Sequence, residues 1–206
     1  MPKRDDELPD VPLAPAPWTL TGRGWILLVK LPQSALDDPA FVPPGLRGKR
    51  HGRYAMVMLV DYETSAVGPY RELLYIPGRF DFPNGRHYSI TRIYVSTMES
   101  AVNGRINWGI PKDCCGFDFH SDTDGDDLLS VSHEGQCFAY LHIHPSRLRL
   151  PFTTALLPRF LRTLSQYYSG RQFTYIPSAS GQMQFSRVMD MKFDGKLFPV
   201  WCRAKS

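Results

Sequence analysis

The chain has 206 residues, a formal net charge of +4 and an apolar fraction of 43%. This length suits one domain, and the apolar fraction is sufficient for a hydrophobic core. The basic residues are scattered and no run of 18 apolar residues occurs, so we expect neither nucleic-acid binding nor a membrane span.

The first part of the chain is charged and then rich in proline. Residues 1–10 lack the apolar stretch of a signal peptide, and we expect 1–17 to form an extended Pro-rich arm before a single β domain over 18–206. The four cysteines lack Cys-x-x-Cys spacing. Without an export signal they predict reduced thiols in a cytoplasmic protein.

Most of the remaining chain predicts short strands separated by turn residues. A short helical link is expected over 96–104, and the apolar spacing of Leu157, Phe160, Leu161 and Leu164 predicts a helix over 156–168. Many strands with one or two helices indicate a mainly antiparallel β protein, barrel-like or sandwich-like. The predicted strands are 18–31, 54–62, 70–77, 87–96, 116–120, 128–133, 136–144, 173–176, 181–191 and 197–203.

The segment 104–112, with the sequence GRINWGIPK, contains one lysine directly after a proline among apolar and aromatic residues. A buried lysine is costly, but burial favours its neutral amine, which is a nucleophile toward carbonyl groups. We therefore predict Schiff-base chemistry at Lys112. The alternative is a solvated lysine at the end of a strand.

This segment resembles the active-site strand of the acetoacetate decarboxylase-like superfamily, in which a Gly-Arg pair precedes a Pro-Lys pair and the lysine forms the Schiff base. Here the matching residues are Gly104, Arg105, Pro111 and Lys112. The resemblance implies a closed antiparallel β-barrel or cone with one or two helices. It also implies a carbon–carbon lyase that assembles as a homo-oligomer. No cofactor is implied, because the imine-forming lysine replaces one.

Two earlier residues stand in the order that the superfamily shows. Arg23 looks like the early-strand arginine that binds the substrate carboxylate, a role suited to a planar guanidinium. Glu72 closes a Gly-x-Tyr-x-Glu pattern, and the resemblance implies a pocket carboxylate that shuttles protons. The alternatives are a surface arginine and a solvated glutamate on a strand.

Two positions depart from the superfamily pattern. Asp113 stands where the decarboxylases have a second lysine, and Val57 falls where another pocket glutamate is expected. A carboxylate beside Lys112 would favour the ammonium form, although neighbours on a strand point to opposite faces. These departures predict that the protein is not a faithful acetoacetate decarboxylase.

The function predicted from these residues is a lysine-dependent lyase acting on a small oxo acid or ketone. Lys112 would form the imine, Glu72 would move protons and Arg23 would hold the acid, while Tyr70, Trp108 and Ile110 would exclude water. The iminium could support decarboxylation, aldol addition or dehydration. The alternative is a non-catalytic binding protein of the same fold for a hydrophobic acid or ketone.

Other polar residues are open to more than one interpretation. His142 and His144 would share a strand face as a metal pair, but no third ligand has fitting spacing, so we expect ordinary strand histidines and no metal site. The aspartates of 122–127 imitate part of a calcium loop but predict a solvated hairpin tip. Cys114 and Cys115 could be a nucleophile or redox pair, or two packed thiols.

Overall fold

A computed structural model describes residues 9–30, 32 and 38–199 of the chain. These residues form sixteen β-strands and one α-helix, which confirms the predicted mainly β class. The elements are β1 (Thr21–Lys30), β2 (Arg50–His51), β3 (Tyr54–Thr64), β4 (Tyr70–Ile76), β5 (Arg79–Phe82), β6 (Gly85–Tyr88), β7 (Arg92–Val95), α1 (Met98–Trp108), β8 (Asp113–Cys114), β9 (Gly116–Ser121), β10 (Asp127–His133), β11 (Gln136–Pro145), β12 (Leu150–Thr153), β13 (Leu164–Tyr168), β14 (Arg171–Tyr175), β15 (Ser180–Met183) and β16 (Ser186–Phe193).

The chain divides into two compact units, and the first consists of 1–115 with 164–175. One of its two five-stranded sheets has the strand order β1-β3-β4-β7-β8, with antiparallel pairing except between β7 and β8. A second sheet has the order β14-β13-β6-β5-β2. Strand β4 is buried along almost its whole length, as expected of a central strand rich in Leu, Tyr and Ile.

Helix α1 joins β7 to β8 and ends just before the predicted lysine site. It begins after Thr97, whose side chain accepts a hydrogen bond from the backbone amide of Ser100, and it ends at Gly109, which has a φ of 64°. Threonine before the first turn and a left-handed glycine after the last are common helix boundaries. The predicted helical link is therefore real, but it continues through Trp108, so most of 104–112 is helix and not strand.

Part of the predicted N-terminal arm lies along this helix. Residues 9–17 form neither helix nor strand, whereas 1–8 lie outside the described residues. The buried Asn103 accepts a hydrogen bond from the Ala14 amide at 2.8 Å and donates to the Pro12 carbonyl at 3.0 Å. Asn107 donates to the Ala14 carbonyl at 2.8 Å. Two helix side chains thus hold the backbone of the arm.

The second unit consists of 116–163 with 176–206. It contains a four-stranded antiparallel sheet of order β16-β11-β10-β9 and a ribbon of β12 and β15. The predicted hairpin around the Asp-Gly turn joins β9 to β10. The side chains buried in this unit include Phe119, Leu129, Val131, Phe138, Leu141 and Ile143.

The predicted helix over 156–168 is wrong. This segment forms two single 3₁₀ turns, Thr154–Leu156 and Arg159–Leu161, followed by strand β13. Leu157 is extended, with a ψ of 139°, because the ring of Pro158 disfavours helical geometry in the preceding residue. Leu157 and Phe160 are exposed, so no packing opposes this preference.

The predicted closed barrel is also wrong for the described residues. Their four sheets are open, and β1 and β8 form the edges of the five-stranded sheet that contains β4. Among these residues no helix has the length and apolar character needed to cross a membrane. The predicted single domain over 18–206 stays a prediction.

Candidate active site

Lys112 lies in the short connection between α1 and β8, and only 3% of its surface is exposed. Its backbone amide donates to the Ile110 carbonyl at 2.8 Å. Its own carbonyl accepts a hydrogen bond from Arg105 Nη2 at 2.6 Å. The backbone of the lysine is therefore held from both sides, and its side chain is buried as the sequence predicts.

The side chain of Lys112 packs against the one glycine of helix α1. A Cβ atom built on Gly104 would stand 2.7 Å from both Cδ and Cε of Lys112, far closer than two carbon atoms pack. Ser100 is four residues earlier, on the same helix face. These two small residues leave room for the lysine beside the helix.

The amine of Lys112 forms a buried ion pair with Glu72. Nζ lies 2.9 Å from Glu72 Oε2 and 3.2 Å from Ser100 Oγ. The glutamate comes from the centre of β4 and is 5% exposed. Removing two charges from water costs free energy, so a buried ion pair adds little net stability to the fold. Buried ionisable groups of this kind are more common at functional sites.

Three tyrosines lie close enough to Glu72 for its charge to affect them. The Tyr70 ring centre lies 5.1 Å from Lys112 Nζ, and the Tyr70 and Tyr62 rings are 4.8 Å apart. Burial, and next the charge of Glu72, raise the pKa of Tyr62 and Tyr70 well above the usual value. Burial also raises the pKa of Tyr175, with a smaller effect of Glu72. All three remain neutral phenols that can donate a hydrogen bond.

The carboxylate of Asp113 belongs to a different interaction. Its Oδ1 lies 3.3 Å from Arg105 Nη2, so the buried guanidinium of Arg105 bridges Asp113 and the Lys112 carbonyl. The carboxylate beside the Lys112 amine is that of Glu72. Asp113 occupies the sequence position of the superfamily's second lysine, but its carboxylate is paired with Arg105 and is not the one beside the Lys112 amine.

The structure does not bring Arg23 to the ion pair. In the sheet, Gly24 stands opposite Val60 and Val60 opposite Glu72, so these three positions share a face. Arg23 is one residue away and faces the other side, where it lies 3.8 Å from Asp61 with its side chain 47% exposed. The role of Arg23 in binding the substrate acid stays a prediction.

Val57 also faces away from the ion pair. It is buried and stands opposite Tyr75, three residues from the position that pairs with Glu72. Because side chains alternate along a strand, a glutamate at position 57 would not point to Lys112. The departure at Val57 therefore has no direct bearing on the environment of the lysine.

Trp108 and Ile110 belong to an apolar cluster on the same face of β4 as Glu72. Ile110 is buried against Leu74 and Ile76, and Trp108 packs against this cluster. The Trp108 ring also contacts Trp18 edge-on, with ring centres 4.8 Å apart. Both residues border the lysine connection with apolar surface, and their role in binding a substrate stays a prediction.

Sequence reasoning missed several residues of this site. These are Ser100, Gly104 in its packing role, Arg105 as the bridge, Tyr62 and Tyr175. Ser100 and Gly104 are small residues four positions apart and therefore lie on one face of a helix. This spacing indicates that another part of the chain can pack closely against that face. Tyr175 lies 63 positions after Lys112, so only the pairing of distant strands could have placed it.

Comparisons with known proteins identify the fold. It resembles the enduracididine biosynthesis enzyme MppR complexed with pyruvate, at a TM-score of 0.60 and 15% identity over 91% of this chain and 84% of that one. The same enzyme with the condensation product of pyruvate and imidazole 4-carboxaldehyde gives a TM-score of 0.57 and 14% identity, over 88% and 78%. Acetoacetate decarboxylase from Legionella pneumophila gives a TM-score of 0.53 and 10% identity, over 92% and 91%.

Sequence comparison alone does not identify a related protein. No protein-family model matches the chain, and no curated protein matches it. At these identities the structural likeness establishes the fold and not the reaction. The chain has the acetoacetate decarboxylase-like fold, which confirms the resemblance drawn from 104–112.

Proposed function

We propose that this protein is a Schiff-base enzyme that acts on a small oxo acid through Lys112. The observation that supports this most is the buried contact of Lys112 Nζ with Glu72 Oε2 at 2.9 Å, beside Ser100. A lysine in the core needs a charged partner, and this partner is also able to accept and return a proton.

The first step would be loss of the lysine proton, because only the neutral amine attacks a carbonyl carbon. Glu72 would accept this proton across the hydrogen bond. The amine nitrogen would then form a bond to the carbonyl carbon as the carbon–oxygen double bond becomes single. One proton of this nitrogen would pass to the oxygen, which becomes the hydroxyl group of a carbinolamine. Glu72 would return its proton to this hydroxyl, which leaves as water and gives the protonated imine.

The protonated imine would withdraw electrons from the adjacent carbon. If a carboxylate is attached to that carbon, the carbon–carbon bond breaks, carbon dioxide leaves and an enamine forms. If that carbon instead carries a hydrogen, loss of the proton gives an enamine that can add to an aldehyde. The neutral hydroxyls of Tyr70 and Tyr175 are suited to donate hydrogen bonds to substrate oxygens in either route.

The choice of an oxo acid rests on two considerations. Oxo acids supply both the carbonyl carbon and a leaving or orienting carboxylate. The solved structures with this fold include MppR complexed with pyruvate and an acetoacetate decarboxylase. Pyruvate and β-keto acids are therefore the first compounds to test on this chain.

A non-catalytic binding protein for a small hydrophobic acid or ketone is the second candidate function. The observation that favours it is the placement of Arg23 on the opposite face of the sheet, which leaves the substrate carboxylate without the predicted arginine. In this case the ion pair of Lys112 and Glu72 would remain closed and serve only to line a binding site.

Imine trapping separates the two candidates. The protein is incubated with pyruvate, acetoacetate and simple aldehydes, sodium borohydride is added, and the adduct is located by peptide mass spectrometry. The expected result is one adduct on Lys112 that is absent from Lys112→Ala and retained in Lys49→Ala, which removes an exposed lysine. Binding of the compounds without any adduct on Lys112 would overturn the enzyme proposal.

A further inference from the structure

His142 and His144 share one face of β11, and both contact the same carboxylate. His142 Nε2 lies 2.7 Å from Asp126 Oδ2, and His144 Nδ1 lies 2.5 Å from Asp126 Oδ1. Asp126 is 8% exposed and comes from the turn between β9 and β10. The two histidines thus have a third polar partner that their sequence spacing does not reveal.

A second carboxylate faces the same point. Asp122 Oδ1 accepts hydrogen bonds from the backbone amides of Asp124 and Asp126, both at 2.9 Å. The Asp122 amide in turn donates to the Asp126 carbonyl at 2.9 Å. These contacts fix the turn and the position of the Asp122 carboxylate.

The donor atoms of Asp122, Asp126 and His142 all lie within 4.8 Å of one another. Ligand atoms about 2.1 Å from a tetrahedral zinc ion stand about 3.4 Å apart, so closing the group requires movements of about 1.4 Å or less. Among the described residues this is the one such group with three ligand side chains. It lies wholly in the second unit, whereas Lys112 lies in the first.

From this geometry we infer a binding site for a divalent transition metal ion of the zinc class. Asp122, Asp126 and His142 are its ligands, and the ion replaces the hydrogen bond between His142 Nε2 and Asp126 Oδ2. An imidazole among the donors favours zinc, cobalt or nickel over magnesium and calcium, which take oxygen ligands only. This inference departs from the expectation of ordinary strand histidines and no metal site, which stays a prediction until the binding experiment is made.

His144 positions the site without being one of its three ligands. Its ring bonds Asp126 Oδ1 and leaves Oδ2 for the ion. A hydrogen bond of this kind to a ligating carboxylate sets its orientation, and loss of such a partner typically weakens metal affinity about 10- to 100-fold. His144 is the more exposed of the two histidines, with 57% of its side chain accessible, against 28% for His142.

A bound ion would link the β9–β10 turn to β11 through its ligands. Asp122 and Asp126 belong to the turn, whereas His142 lies near the far end of the strand that pairs with β10. A bound ion would link segments that are about 20 residues apart in sequence and stabilise the folded chain by mass action.

The test uses the untagged full chain after treatment with EDTA and then dialysis. Zinc binding is measured by isothermal titration calorimetry in the presence of a reductant, and cobalt binding by its visible absorption. The expected result is one ion per chain. Affinity falls at least about 100-fold in His142→Ala and Asp126→Asn, and about 10-fold in His144→Ala. His133→Ala, at the other end of β10, is the matched control and keeps the wild-type affinity.

Measurement of Tm with and without zinc distinguishes loss of the metal site from misfolding of a variant. Zinc raises the Tm of the wild-type protein and of His133→Ala, but leaves the Tm of His142→Ala unchanged. Circular dichroism of each variant without metal confirms that it is folded. Absence of zinc binding to the wild-type chain would overturn the inference, as would equal affinity in folded His142→Ala, because the ion would then be bound elsewhere.

Discussion

The side chain of Lys112 runs so close to Gly104 that a methyl group there would stand 2.7 Å from its Cδ and Cε. Helix α1 therefore does more than connect two strands. A residue without a side chain at this position of the helix determines where the amine of the lysine can lie, and the amine lies beside Glu72.

Gly104→Ala is expected to displace the lysine while leaving the protein folded. Alanine favours a helix interior by about 1 kcal/mol over glycine, and overpacking costs about 1–3 kcal/mol, so the free energy of unfolding changes little. Formation of the trapped adduct should slow about 10-fold or more, measured by the rate of incorporation. Gly181→Ala, where the new methyl group meets open space, should react at the wild-type rate.

The ion pair of Glu72 and Lys112 should show strong energetic coupling. Glu72→Gln or Lys112→Met leaves one buried charge without its partner, which is expected to lower the free energy of unfolding by about 3–5 kcal/mol. The double variant should recover most of this loss, since neither charge is then present. Urea denaturation of the four proteins measures the coupling, and additive effects would contradict a buried pair.

Arg23→Gln tests the placement of this residue against its predicted role. Because its guanidinium faces Asp61 on the side of the sheet opposite Glu72, we expect the apparent affinity for pyruvate and the trapping rate to stay within about twofold of wild type. A rise of about 10-fold or more in the pyruvate concentration for half-maximal trapping would instead support the role inferred from the resemblance.

Cys115 should be unreactive near neutral pH. Burial, with smaller effects of Asp113 and Cys114, raises the pKa of its thiol to about 12. The thiolate is the reactive form, so a raised pKa leaves almost none at pH 8. Iodoacetamide at this pH should label the exposed Cys137 and not Cys115 in the folded protein, as read by peptide mass spectrometry. Equal labelling would favour a nucleophilic or redox role for the Cys114–Cys115 pair.

What the sequence could predict was the chemistry of single positions. A lysine after a proline in an apolar segment indicated burial at Lys112, and a glutamate among large apolar residues indicated an inward Glu72. Both predictions depended only on the character of residues adjacent in the sequence. The fold comparison confirms the resemblance on which the rest of the site was predicted.

What the sequence could not predict was pairing between distant segments. Arg23 faces away from Glu72 because β1 pairs with β3 in one register, and a shift by one residue would reverse its face. Asp122 and Asp126, the two carboxylates near His142, come from the β9–β10 turn. The position of this turn beside His142 depends on the pairing of β10 with β11. The failed helix over 156–168 had a local cause, since Pro158 disfavours helical geometry at Leu157 and the apolar residues Leu157 and Phe160 remain exposed.

Asn103 contacts the N-terminal arm through the Ala14 amide and the Pro12 carbonyl, and so recognises the peptide backbone alone. The Ala14 carbonyl also accepts hydrogen bonds from Asn107 and from the Trp18 indole, so each of these side chains holds the arm by its backbone. These hydrogen bonds do not depend on which side chains residues 12–14 carry. Related chains should accordingly preserve the asparagine while the arm it holds diverges in sequence.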